Sequence, residues 1–158
     1  MNYKTLLTGL FAAAFLGALP TFAADVVEPD NAIKYRQQMM KAVGGHTSAM
    51  VVILKGEVPH TEALKSHADG LAAATNPESL IAAFMQNTDG KGSEENISTG
   101  KIWEDWARFE DAVQYLAAAA KEIQVAAAAG NLTEFDQLKP ALEQCGFCHR
   151  KSGFRDKK

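Results

Sequence analysis

Along most of the chain, apolar positions recur at intervals of three and four residues, the spacing of one face of an α-helix. After Pro29 and Asp30, which can start a helix, Ile33, Arg36/Gln37, Met40, Val43/Gly44, Thr47, Met50/Val51 and Leu54 keep this spacing. They predict a first helix that ends near Lys55-Gly56. A second begins around Pro59-His60-Thr61 and carries Leu64, His67, Leu71 and Ala74 on one stripe. Asn76-Pro77 interrupts it, because a residue before proline avoids the α region, and Ser79 to Met85 adds a short continuation. Gln86 to Gly100 is polar and glycine-rich, the composition of a surface loop. The third helix is the clearest, with Ile102, Trp106, Phe109, Val113, Leu116, Ala120, Ile123 and Ala127 in strict alternation and Gly130 as its stop. A fourth starts at Asn131 or Thr133, each followed three residues later by an acid in the manner of a capping box. Phe135, Leu138, Leu142, Cys145 and His149 then share its inward stripe, and Pro140 predicts a kink or a fresh start. No window alternates in the manner of a strand. The expected class is all-α, an antiparallel up-down-up-down four-helix bundle.

Ahead of these helices, Lys4, the apolar run Leu6 to Leu19 and the small residues of Thr21-Phe22-Ala23 have the order of a secretory signal. Residues 1–23 are therefore expected to be removed, with cleavage after Ala23 or Ala24, leaving a single domain over 24–158. Export from a bacterial cytoplasm places the mature chain in the periplasm. The full chain's net charge of −3, with acids and bases interspersed, offers no basic patch for nucleic acid and no polybasic strip for a membrane surface once the signal is gone.

Candidate chemistry sits near the far end, in Cys145-Gly146-Phe147-Cys148-His149. Two thiols at this spacing, with an imidazole directly after the second, form the attachment site of a c-type haem: each thiol adds to one vinyl group and the histidine binds the iron. The chain holds just two cysteines, so no second pair completes a zinc cage, and the βα context of a thioredoxin-like dithiol is missing. One covalent haem c is the expected cofactor, held by Cys145 and Cys148 with His149 as an axial ligand.

In an up-down-up-down bundle, the start of the first helix, the end of the second and the start of the third meet at the end that holds His149. The pocket is thus expected to be lined by Arg36 to Val43, Leu80 to Met85 and Ile102 to Phe109. Arg36, on the inward stripe, suits a buried haem propionate, because a desolvated carboxylate needs a bidentate cation. Trp103 and Trp106 serve as packing at the haem end. Met40 lies roughly 15 Å into the first helix, level with the iron, whereas Met50 is deeper by about as much again. Met39 is rotated off the stripe and Met85 borders a flexible loop. Met40 is accordingly expected to be the sixth iron ligand. His67 reads as a core or interface histidine, and His46 and His60 fall off the stripes toward solvent. Gly44 reads as making room for the porphyrin or for the second helix.

The mature chain resembles the cytochrome c prime family, four-helix-bundle cytochromes whose CxxCH lies near the C-terminal end. Tyr35-Arg36-Gln37 resembles the pair that meets the haem propionates, which brings in Gln37, and Ile102-Trp103 with Phe109 resembles the family's I-W-x(5)-F stretch. One departure is that Phe154-Arg155 falls five and six residues after the histidine, as though Ser152-Gly153 were inserted, which leaves open whether Arg150, Lys151 or Arg155 covers the proximal side of His149. The resemblance implies two chemistries on one fold. Typical members leave the sixth iron position open, are high-spin, and bind nitric oxide or carbon monoxide under an apolar cover; a low-spin subgroup supplies a methionine and carries electrons. With Met40 four residues after the arginine, the expectation is the low-spin subgroup: a one-electron carrier with a six-coordinate His/Met haem, not an enzyme. The alternative is the high-spin gas binder. The residues identify no redox partner protein, and the resemblance allows a homodimer through the first two helices.

Overall fold

The computed structural model describes residues 27–156. The export signal expected at residues 1–23, with its cleavage after Ala23 or Ala24, lies outside the described residues. All regular structure among the described residues is helical apart from one isolated antiparallel bridge between Ser98 and Arg155.

Helix α1 spans Pro29–Leu54 and opens on a proline at its first position, where the missing N–H is one that a helix leaves unpaired anyway. It runs unbroken through Gly44-Gly45. A Cβ at Gly44 would meet nothing within 4 Å, so this glycine does not make room for a neighbouring helix. A 3₁₀ turn, Thr61–Ala63, leads into α2, Leu64–Ala74. The expected break follows: Asn76 Oδ1 accepts from Ser79 N at 3.2 Å and caps the short α3, Pro77–Ala82. The third predicted helix is divided into α4, Lys101–Glu104, and α5, Trp106–Ala128, by Asp105 at φ −126°, ψ 57°. Periodicity is blind to this break because the apolar stripe resumes on the same side after one residue.

The fourth unit also starts afresh. Its capping box is Glu134 with Gln137, the Gln137 carboxamide oxygen accepting from Glu134 N at 2.9 Å, one residue beyond the predicted Thr133. The 3₁₀ turn Phe135–Leu138 ends where α6, Lys139–Gly146, begins with Pro140 in its first turn, the position at which proline costs least. Helix α6 passes into a π turn over Phe147–Lys151, closed by Ser152 N donating to Phe147 O at 2.9 Å. Helix α1 packs on α2, α2 and α3 on α5, α5 on α6, and the 135–138 turn returns to α1. These contacts close four units around one core in which Met50, Leu71, Ile102, Ala120 and Leu138 are buried.

His46 does not face solvent as expected. It is half-buried between α1 and α2, its Nδ1 3.3 Å from Nδ1 of His67, and its ring lies over Gly70, where a Cβ would collide with it. Alanine ordinarily favours a helix interior over glycine by about 1 kcal/mol. Here Gly70→Ala should destabilise the protein by displacing the His46 ring, and should stabilise it by about 1 kcal/mol in a His46→Ala background. Urea midpoints of the four proteins in this cycle test the sign reversal.

Candidate haem site

The chemistry gathers at one end of the bundle, on an aromatic wall built by three stretches distant in sequence. Phe84, just past α3, has its ring centroid 4.8 Å from that of Phe109 on α5. Phe109 in turn contacts Trp106 at 5.3 Å and Phe154 at 5.7 Å, and Phe154 meets Phe147 edge-on. The break at Asp105 leaves α4 able to aim Trp103, whose indole N–H donates to Phe84 O at 2.7 Å. As expected, Trp103 and Trp106 pack at this end.

Arg36 enters the wall from α1. It is 3% exposed, lies over the Phe84 and Trp103 rings at 5.0 and 5.5 Å, and donates through Nη2 to Thr88 Oγ1 at 2.6 Å. Its Nη1 is buried without a protein acceptor. A buried donor left unpaired costs about 1–3 kcal/mol, more when charged, so this atom asks for an acceptor from outside the chain, and a carboxylate is the one it fits best. Burial also lowers the Arg36 pKa, the direction that a bound anion would oppose. Gln37 has a different partner: its carboxamide donates to Glu95 O at 2.8 Å and holds the loop rather than reaching the wall.

Cys145 and Cys148 are free, half-buried, and packed against the core. Desolvation raises both thiols, Cys148 to about 11, so they are protonated S–H groups at neutral pH. A reactive redox dithiol needs a depressed pKa, and this pair has the opposite environment. His149 departs from its predicted inward position. Helical spacing of 3.6 residues puts it in line with Cys145, but the π turn's i→i+5 bond widens the backbone and rotates the histidine toward the surface. Partial desolvation, then the charges of Arg155 and Arg150, hold its imidazolium pKa below the usual value, leaving the neutral form that a metal requires.

The two extra residues after the motif form a turn. The Ser152 hydroxyl donates to Cys148 O and accepts from Phe154 N, both at 3.0 Å, and Gly153 takes φ +81°. The chain thereby returns, burying Phe154 and bringing Arg155 Nη1 within 3.2 Å of His149 Nδ1. Of the three candidate cations, Arg155 is the one on the histidine, while Arg150 folds back over Gly146.

The methionines divide by environment. Met50 is fully buried deep in the core and Met85 is 70% exposed. Met40 and Met39 are half-buried and pack on the core as ordinary apolar cover. Among the described residues no group of three or more His, Cys, Asp or Glu is placed to hold a metal ion. Sequence reasoning missed Thr88 and Asn96, while Phe84 falls in the expected Leu80 to Met85 lining. The two missed residues lie in the polar 86–100 stretch, whose composition signals a loop and carries no periodicity to show what it touches.

The family profile described as Cytochrome C' matches residues 31–155. Cytochrome c' of Pararhodospirillum photometricum is 34% identical over 122 residues, covering 77% of this chain and 94% of that protein. Cytochrome c' of Rhodopseudomonas palustris is 30% identical over 150 residues, covering 92% and 96%. A ferrous arginine-to-lysine variant of cytochrome c prime from Alcaligenes xylosoxidans, solved with bound nitric oxide, superposes with a TM-score of 0.70 at 25% identity over 85% of this chain and all of that one. These relatives overturn the expected six-coordinate His/Met electron carrier, since they carry the name of the open-faced branch. Met40 misled because a thioether at that level packs as well as it ligates, and spacing alone does not separate the two. No helix among the described residues is long and apolar enough to cross a membrane. With its profile match spanning the helices and the Cys145 to His149 motif alike, the chain belongs to the cytochrome c' family of four-helix-bundle proteins that carry one covalently attached haem c.

Proposed function

We propose that this chain is a periplasmic haem protein that binds nitric oxide or carbon monoxide without turning them over. The observation that carries this reading is its likeness along the whole domain to a ferrous cytochrome c prime with nitric oxide bound. When bound, the haem supplies the iron that takes the gas. The chain's residues do the rest. Each of the Cys145 and Cys148 S–H groups would add across a vinyl double bond, sulfur to one carbon and hydrogen to the other. His149, whose neutral form desolvation favours, would offer a ring nitrogen to the iron. Arg36 Nη1 would take a propionate oxygen as the acceptor the protein does not provide. Met40, half-buried and packed on the core, would serve as apolar cover rather than as a ligand.

The absorption spectrum of the oxidised protein at neutral pH should be high-spin, and the reduced protein should bind carbon monoxide with a shift of its main haem band. Met40→Ala should leave the ferric spin state unchanged. A low-spin ferric spectrum that turns high-spin in Met40→Ala would overturn the open-faced reading.

A further inference from the structure

Two guanidinium groups of the site, Arg36 and Arg155, come from opposite ends of the described chain, yet one side chain in the 86–100 loop reaches toward both. Asn96 Nδ2 donates to Thr88 O at 3.0 Å and to Thr88 Oγ1 at 3.3 Å, and Thr88 Oγ1 is the acceptor that holds Arg36 Nη2. Its Oδ1 accepts from Ser98 N at 3.1 Å, and Ser98 is bridged to Arg155. Flanking bonds fix that bridge: Thr99 N donates to Phe154 O at 3.1 Å, the Thr99 hydroxyl to Gly153 O at 2.6 Å, and Asp156 N to Ile97 O at 2.9 Å.

The carboxamide's orientation follows from its neighbours, since a carbonyl on one side demands the NH₂ and a backbone N–H on the other demands the oxygen. Thr88 is itself fully buried, so the register of its hydroxyl under Arg36 has little freedom. On this geometry Arg36 keeps Nη1 free for its ligand because Nη2 is already held, and Arg155 meets His149 because its backbone is pinned to Ser98. We infer that Asn96 is a positioning residue that sets the propionate-side and histidine-side arginines together, so that the two faces of the haem contact shift in concert. This rests on the reading of Arg36 and His149 proposed above.

The test uses the haem-loaded protein and two local signatures in resonance Raman spectra, the propionate bending mode and the ferrous iron–histidine stretch, alongside the thermal midpoint. Asn96→Ala and Asn96→Asp should move both modes, the aspartate as strongly as the alanine because a carboxylate faces the Thr88 carbonyl with no proton to donate. Thr88→Val should move the propionate mode and leave the iron–histidine mode within error. Asn87→Ala, in the same loop but with a side chain that accepts from Asp89 N and touches neither Thr88 nor Ser98 in a hydrogen bond, should move neither. A lowered midpoint with both modes unmoved in the Asn96 variants would show a mere loop staple and overturn the inference. Arg36→Leu separates the two levels. If it leaves the propionate mode unmoved, the propionate reading fails and the inference with it. If it moves that mode and the Asn96 variants do not, the positioning inference alone is wrong.

Discussion

Replacing Cys145 and Cys148 together by alanine should give a protein whose haem passes entirely into acid-acetone, whereas the wild-type protein should retain all of its colour. Thioether bonds hold the cofactor at a local concentration on the order of millimolar whatever the bulk concentration, and without them only noncovalent contacts remain. The consequence for stability is large, because the walls of the site are apolar. Phe84, Phe109 and Phe154 are buried, and Cys145 and Cys148 pack on the same core. A ligand that binds only the folded state stabilises it by mass action, so its loss at micromolar concentration removes a contribution of about 3 kcal/mol. For a domain of this size that is a fall in the melting midpoint of about 10 °C. Calorimetry on the double variant after extraction checks the size, and retention of colour through extraction would refute covalent attachment at these residues. Each single variant should keep colour through the remaining bond.

The second large effect is expected at Phe109. Its ring contacts Phe84, Trp106 and Phe154, three side chains from different segments, and it is buried in the core. Truncation to alanine deletes these contacts at once and leaves a cavity among side chains too large to collapse into it, a cost of about 3–5 kcal/mol. Tyr115, on the same helix but 70% exposed, provides the comparison, and its replacement by alanine should stay within about 0.5 kcal/mol. Chemical denaturation of both variants measures the difference. A Phe109→Ala cost as small as that of Tyr115→Ala would mean the aromatic wall is not a stability centre.

How legible the molecule was in its residues depended on which force fixed each part. Pro77, Pro140 and Gly130 act through covalent or steric limits on a single backbone position, so the breaks and stops they mark were readable without tertiary context. The inward stripes of α1 and α5 were readable because burial enforces a period. Arg36 was found for the same reason, as a charge on a buried stripe. Asp105 and the π turn were not, since each changes one peptide unit's direction while leaving the composition of its surroundings unchanged. The loop residues Thr88 and Asn96 escaped because hydrogen-bond partners 52 and 8 residues apart leave no local pattern. Met40 shows the opposite error. Chemistry was inferred from its level along the helix, and level does not distinguish ligand from filler.

The π turn at Phe147–Lys151 bears on how this chain tolerates changes of length. A π turn is what a helix becomes when it absorbs one surplus residue, so the segment carries a built-in insertion before the chain returns at Phe154. Removing one residue there restores α spacing and swings everything downstream by about 100°. The turn at Ser152-Gly153 lies immediately after, outside the helix ladder, where such a swing can be taken up before Phe154 re-enters the core. A deletion upstream in α6 has no such buffer and would turn both cysteines and the histidine together. The stretch from Arg150 to Gly153, past the histidine, is thus the part of the site where the reading of the gene can gain or lose a codon at least cost, and α6 is the part where it cannot.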